Sequence, residues 1–165
     1  MTPDWTRRNV IIASGAAIAA GLSGCLSGGR TDASDDDDVS LAVAEVHQYS
    51  SPGCSCCSQY AAYLGERIDG TLTETTPDDI AAVKRQHGVP DELQSCHTLV
   101  VGDYVVEGHV PATVIETLLG EEPAIDGIAL PGMPAGSPGM GGSKQGQFTI
   151  HEFDDDQASG VYAKY

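Results

Sequence analysis

The apolar positions of this chain fall into short runs whose period switches between alternation and helical spacing. Residues 41–49, rich in Val and Ala, read as a strand and lead into the turn formers Ser50-Ser51-Pro52-Gly53. Cys57, Ala61, Leu64 and Ile68 then recur at helical spacing and define one apolar stripe. Residues 71–75 predict a short strand. Thr76-Pro77-Asp78-Asp79 has the chemistry of a helix start: a capping hydroxyl, an early proline, and acids at the positive end of the dipole. Ile80, Val83 and His87 share one face of that helix, and Gly88 closes it. Two β-rich runs, 98–101 and 104–107, flank Gly102-Asp103 and predict a tight hairpin. Residues 111–119, ended by Gly120, predict a third helix. Beyond a Pro- and Gly-rich loop, residues 148–153 and 161–165 predict a second hairpin across a turn at 154–160.

The order is βα(β)α followed by ββα. It predicts an α/β domain over residues 41–165 with a thioredoxin-like arrangement: a mixed sheet flanked by helices, with a C-terminal β-hairpin extension. The pattern does not say how that last hairpin joins the sheet. No internal repeat is present.

Upstream, the pattern is that of an address. Thr6-Arg7-Arg8-Asn9-Val10 precedes an apolar run, 11–22, too short to span a bilayer. The paired arginines resemble a twin-arginine export signal. Leu22-Ser23-Gly24-Cys25 resembles a lipobox. Residues 1–24 are thus expected to be a lipoprotein signal peptide and Cys25 the lipidated residue. That would hold an exported protein on the outer face of the cell membrane. Residues 25–40, rich in Gly, Ser and Asp with Asp35 to Asp38 consecutive, predict an extended acidic tether.

Charge narrows the partners. The 165 residues carry a formal charge of −16, and a surface so acidic repels nucleic acid and anionic lipid. It suits either a basic partner or the hydrated surface of a halophile. The acids are scattered, and lysines are confined to Lys84, Lys144 and Lys164, which favours the halophile.

With Cys25 assigned to lipid, four of the five cysteines remain for the domain. Cys54-Ser55-Cys56-Cys57 sits where the first strand hands over to the first helix, whose N-terminus stabilises thiolate. Cys96 precedes the hairpin, a place that a thioredoxin-like layout returns beside the first helix, so the four sulfurs are expected to converge. Three chemistries are open. Two structural disulfides suit an oxidising compartment and an even count, but adjacent Cys56 and Cys57 are awkward partners. A thiol-disulfide oxidoreductase would use Cys54 as nucleophile and Cys57 as resolving thiol. A soft-metal site is the third. Zinc would want two separated ligand pairs, and iron–sulfur clusters have spacings absent here. Cu(I) fits closely packed thiolates best, and Cys54, Cys56, Cys57 and Cys96 are the candidate ligands.

Gly132-Met133-Pro134 and Pro138-Gly139-Met140 place two thioethers in a loop without helical or strand period, where Met133 and Met140 could cover or feed such a site. They suit a flexible loop equally well. His97 adjoins Cys96 and is a further candidate ligand. His47, His87, His109 and His151 read as ordinary hydrogen-bonded histidines.

Five ordered motifs then carry a resemblance. Ser51-Pro52-Gly53-Cys54-Ser55-Cys56-Cys57, His87-Gly88-Val89-Pro90, Leu93-Gln94-Ser95-Cys96-His97-Thr98, Glu107-Gly108-His109-Val110-Pro111 and residues 131–140 together resemble the CopG-like copper-resistance proteins, over roughly 43–165. The resemblance implies a thioredoxin-like fold, an extracytoplasmic location and a cysteine-bridged multinuclear copper site on Cys54, Cys56, Cys57 and Cys96. It implies a role in copper resistance, by redox handling or sequestration, with copper ions and other copper-handling proteins as partners. The lipoprotein signal, acidic tether and acidic surface depart from typical members and leave the cysteine motif intact.

Overall fold

The computed structural model describes residues 38–165; the expected signal peptide, Cys25 and most of the expected tether lie outside the described residues. Seven strands form one mixed sheet in the order β2-β1-β3-β4-β5-β6-β7. In chain order the elements are β1 (Glu45–Ser50), α1 (Ser55–Gly65), β2 (Thr71–Thr75), α2 (Ile80–Gln86), a short 3-10 turn (Asp91–Leu93), β3 (His97–Val101), β4 (Tyr104–Gly108), α3 (Ala112–Glu121), β5 (Gly127–Leu130), β6 (Thr149–Asp154) and β7 (Gln157–Lys164). β1 and β2 are parallel; β3 runs antiparallel to β1 and to β4. The α/β class and the predicted order of the first seven elements are both present.

Burial follows the two-residue period of the strands. Val46, Gln48 and Ser50 are buried on β1 while His47 and Tyr49 are only half-buried. The main core packs Tyr60 and Leu64 of α1 and Ile115 and Leu118 of α3 against Val46, Leu99, Val106, Ile128 and Ile150 of the sheet. Val39 and Leu41 already belong to it. A smaller cluster, Val89, Leu93, Val105, Ala129 and Phe153, takes the opposite parity on β4.

Four local expectations are corrected. The first helix stops at Gly65, so Ile68 leaves the stripe and instead bridges to Leu41, while Tyr60 joins the buried face. On α2 the residue carried inward is Lys84, because Glu107 meets it from β4; Ile80, Val83 and His87 are only half-buried. Gly120 lies inside α3, and Glu122 ends the helix in the left-handed conformation, with φ +47°. The last turn is only Asp155-Asp156, both at positive φ, and β7 therefore begins at Gln157. The attachment of that hairpin is made by β5, which pairs parallel to β4 and antiparallel to β6. β5 went unread because four residues buried on both faces show no alternation.

Candidate metal centre

The cysteine segment is delivered by a turn. The Cys54 N–H donates to the Ser51 carbonyl at 3.2 Å, with Pro52 and Gly53 (φ +75°) between them, as a type II turn requires. Cys54 thereby becomes the N-cap of α1, and its sulfur accepts the Cys57 N–H at 3.3 Å. Gln48 ties the end of β1 to this helix start, donating to the Cys57 carbonyl at 3.0 Å and to Ser50 Oγ at 2.9 Å. Cys96 arrives from the other side. Its carbonyl accepts both the N–H and the hydroxyl of Ser51, at 3.1 and 2.8 Å.

Four cysteines therefore converge as the layout predicts, with the sulfurs of Cys54, Cys56, Cys57 and Cys96 all within 4.8 Å of one another. Cys54 and Cys57 are joined by a disulfide, and Cys56 and Cys96 are free. The described state is thus one C-x-x-C bridge, not a pair of structural disulfides. The Cys54 and Cys56 sulfurs stand 3.4 Å apart. Closed, the bridge withholds two of the four donors; opened by two electrons and two protons, it returns four thiols to one place. Burial, and then the neighbouring Cys56, push the Cys96 thiol up to about 11, with Ser95 pulling the other way. A metal must displace that proton to bind.

Two histidines complete the surroundings. His97 and His109 are both fully buried. Nδ1 of His97 lies 3.4 Å and Nε2 of His109 3.1 Å from the Cys96 sulfur. The Nδ1–H of His109 donates to the Pro138 carbonyl at 2.6 Å, which leaves Nε2 with its lone pair facing the sulfur. Tyr60 packs against both rings, with centroids 4.6 and 5.2 Å away, and its hydroxyl donates to the Val110 carbonyl at 2.7 Å. Burial holds both imidazoles below their ordinary value, His97 much further than His109; the nearby His109 and Lys84 lower His97 again.

His109 is the residue that the sequence reading passed over, and a signal for it existed. The hairpin register pairs Val101 with Tyr104 and Thr98 with Glu107. Counting on in the same register sets Cys96 opposite His109. Strand alternation would then put His109 on the face of Val105 and Glu107. Gly108, at φ +79°, turns the chain so that the ring meets Tyr60 instead.

The methionine loop lies on α1. A Cβ on Gly139 would come within 2.7 Å of Tyr60 N, so Pro138-Gly139 rests on the second turn of the helix. Met140 is half-buried and Met133, at φ +46°, is 40% exposed. His47 stacks on Tyr49, which in turn meets His87, while His151 lies within β6.

Behind Cys96 is a buried ion pair. Lys84 donates to Glu107 and, at 3.0 Å, to the Thr98 hydroxyl, which donates to the other Glu107 oxygen at 2.6 Å. Glu107 also accepts the Ser95 N–H. Burial pushes its carboxyl upward, against the pull of Lys84, Thr98 and Ser95. The pair thus fixes the peptide just before Cys96 to the middle of the sheet.

A family described as "Protein of unknown function, DUF411" matches residues 93–140, the stretch that holds Cys96, both histidines and both loop methionines. A search of curated proteins finds no match. Two solved structures, "Copper resistance protein copG- Form 1" and "Form 2", are each 37% identical to this chain. They cover 74% and 76% of it and 98% and 99% of their own lengths, with TM-scores of 0.65 and 0.66. At that identity and coverage, this chain belongs to the CopG-like family of copper resistance proteins.

Proposed function

We propose that this chain is an extracytoplasmic copper-binding protein that holds Cu(I) through Cys54, Cys56, Cys57 and Cys96, as a cysteine-bridged multinuclear cluster, in copper resistance. The convergence of sulfurs from two segments, within 4.8 Å, carries the reading. Thiolates so close share soft ions readily, and Cu(I) accepts low coordination by sulfur. Loading needs the Cys54–Cys57 bridge opened first. Met133, Met140 and His97 are the additional donors in this reading. The βαβ and ββα halves of the sheet are read as a thioredoxin-like scaffold, which supplies the helix start and the facing strand. The test is copper per chain and Cu(I) competition with a chromophoric chelator, done anaerobically on reduced protein. Cys96→Ser should lower both stoichiometry and affinity while far-UV circular dichroism stays near wild type. Met133→Leu with Met140→Leu should do less, since thioether is the weaker donor and Leu preserves volume. Full copper at unchanged affinity in Cys96→Ser would defeat the four-cysteine site.

A second reading has its own support in the Cys54–Cys57 bridge at the N-cap of α1. A thiol-disulfide oxidoreductase would carry its redox pair there. Insulin reduction by the Cys56→Ser, Cys96→Ser double variant separates the two, because an exchanger needs only Cys54 and Cys57. Robust turnover by that variant would favour the enzyme.

A further inference from the structure

We propose that Ser51 is the positioning residue that keeps the two cysteine segments assembled as one site when the Cys54–Cys57 bridge opens. Its bearing on copper rests on the function proposed above; the contacts that define it do not.

Two segments supply the four sulfurs, and the bridge does not join them. Cys54, Cys56 and Cys57 arrive with the β1–α1 turn and Cys96 with the loop before β3, whereas the disulfide lies within the first segment. Some other contact must hold one segment to the other. The β1–β3 ladder does so as far as Ser50, which faces His97. Pro52 has no N–H to give, so the ladder ends at Ser51. The Ser51 N–H makes the last rung, donating to the Cys96 carbonyl at 3.1 Å. Its hydroxyl donates to the same oxygen at 2.8 Å, so the end of the ladder carries two bonds where the backbone alone supplies one.

Ser51 is bonded to both segments at once. Its carbonyl accepts the Cys54 N–H at 3.2 Å, and its N–H and hydroxyl both reach Cys96. From the sheet side, Glu107 holds the Ser95 N–H, so the peptide at Cys96 is fixed front and back. None of these bonds uses a sulfur. Opening the bridge with two electrons and two protons therefore leaves every one of them in place.

The hydroxyl has a second effect. A carbonyl oxygen offers two lone pairs, and Ser51 takes both at Cys96. The Cys57 sulfur lies 3.7 Å from that oxygen. Once reduced, its S–H is the weaker donor and finds no lone pair open there, so Cys57 is left to the other three sulfurs. Donors already in place lose little freedom on binding, which raises affinity.

The test uses the full-length chain with Cys25→Ser as parent, so that the four domain cysteines are its only ones. Dithiothreitol opens the bridge, leaves as its own cyclic disulfide, and is removed anaerobically before Cu(I) is added. Amide hydrogen exchange is read by NMR on the metal-free parent, bridged and reduced. The residue 51 amide should exchange at the same rate in both forms, within about threefold. Ser51→Ala should speed that exchange about fivefold and lower the apparent Cu(I) affinity of reduced protein to a similar degree, the size of one neutral hydrogen bond. Ser51→Thr keeps the hydroxyl and suits the extended backbone before Pro52, so it should restore both. Gly102→Ala, strained at φ +60° at the far end of the hairpin, should load copper as the parent does, which separates positioning from general stability. The exchange comparison needs no variant at residue 51, so it stands even if one fails to fold. The proposal is overturned if reduction alone frees the residue 51 amide, if Ser51→Ala loads copper as the parent does, or if Gly102→Ala lowers the affinity as much. The four-cysteine reading fails differently: the reduced parent would then bind no copper, and the exchange comparison would still decide whether Ser51 holds the segments together.

Discussion

The Cys96 sulfur stands 3.1 Å from Nε2 of His109, across the open end of the β3–β4 hairpin. The contact joins a residue just before β3 to one just after β4. It depends on three separate features: the hairpin register, the left-handed turn at Gly108, and the Pro138 carbonyl that orients the ring. The candidate site is, in space, a sulfur-rich side and a nitrogen-rich side that share Cys96.

The buried pair behind Cys96 gives a stability prediction. Lys84→Met leaves Glu107 charged and without its partner, and Glu107→Gln does the same to Lys84. Removing one member of a buried pair costs about 3–5 kcal/mol. Lys84→Met with Glu107→Gln should recover most of that loss, because no charge is then stranded and the amide oxygen still accepts the Ser95 N–H. Urea denaturation of the three variants checks it; a double variant no more stable than either single would show that charge is not the issue.

The buried histidines make the metal-free protein sensitive to acid. The fold holds the His97 and His109 pKa values below the ordinary 6.5, chiefly by burial. Between those lowered values and about pH 6.5 the unfolded chain binds more protons than the folded one. Their contribution is therefore full above that pH and is lost as the pH falls from there toward the folded-state values. Denaturation midpoints measured on apo protein from about pH 8 to about pH 5 should decline on the acid side. His97→Phe keeps a ring against Tyr60 and should flatten the decline; an unchanged slope would assign the acid sensitivity elsewhere.

Gly108 should tolerate no side chain. It sits at φ +79°, and a Cβ there would lie 2.6 Å from the Leu130 carbonyl oxygen and 2.9 Å from Ser95 Oγ. Gly102, at φ +60°, has nothing nearer than Leu119 at 3.7 Å. Gly102→Ala should therefore show only the backbone cost, about 1–3 kcal/mol. Gly108→Ala should exceed it and also disturb Cys96 through Ser95. Thermal midpoints of the two variants, with thiol reactivity of Cys96, make the comparison. Equal losses would mean that the collision with Leu130 is relieved.

The anchor is tested outside the described residues. If Cys25 is lipidated after export, Cys25→Ser should release the protein into the medium or leave it unprocessed. One chain alone gives only marginal membrane binding, so intact mass should show more than one acyl group on the wild type. An unmodified Cys25 on the processed protein would end the lipoprotein reading.

Much of this was decided locally and so was visible in the chain itself. Ser51-Pro52-Gly53 can only turn, three cysteines follow it at a helix start, and Gly102-Asp103 between β-rich runs makes a hairpin. Those rules act over a few residues; it took the expected layout of the whole domain to bring Cys96 beside the start of the first helix. Other features were settled by partners far along the chain. Lys84 turns inward because Glu107, on a strand of another segment, meets it; by itself the helix gives no reason to bury a lysine. β5 is legible only once β4 and β6 flank it, since burial on both faces erases alternation. His109 becomes a neighbour of Cys96 through a register and a turn acting together, and the Cys54–Cys57 bridge is one pairing among several that the spacing permits. Hydrogen bonds and turn geometry are short-ranged and can be read from adjacent residues. Burial, and which charge or donor shares it, depends on the whole packed core and appears only when the sheet is assembled.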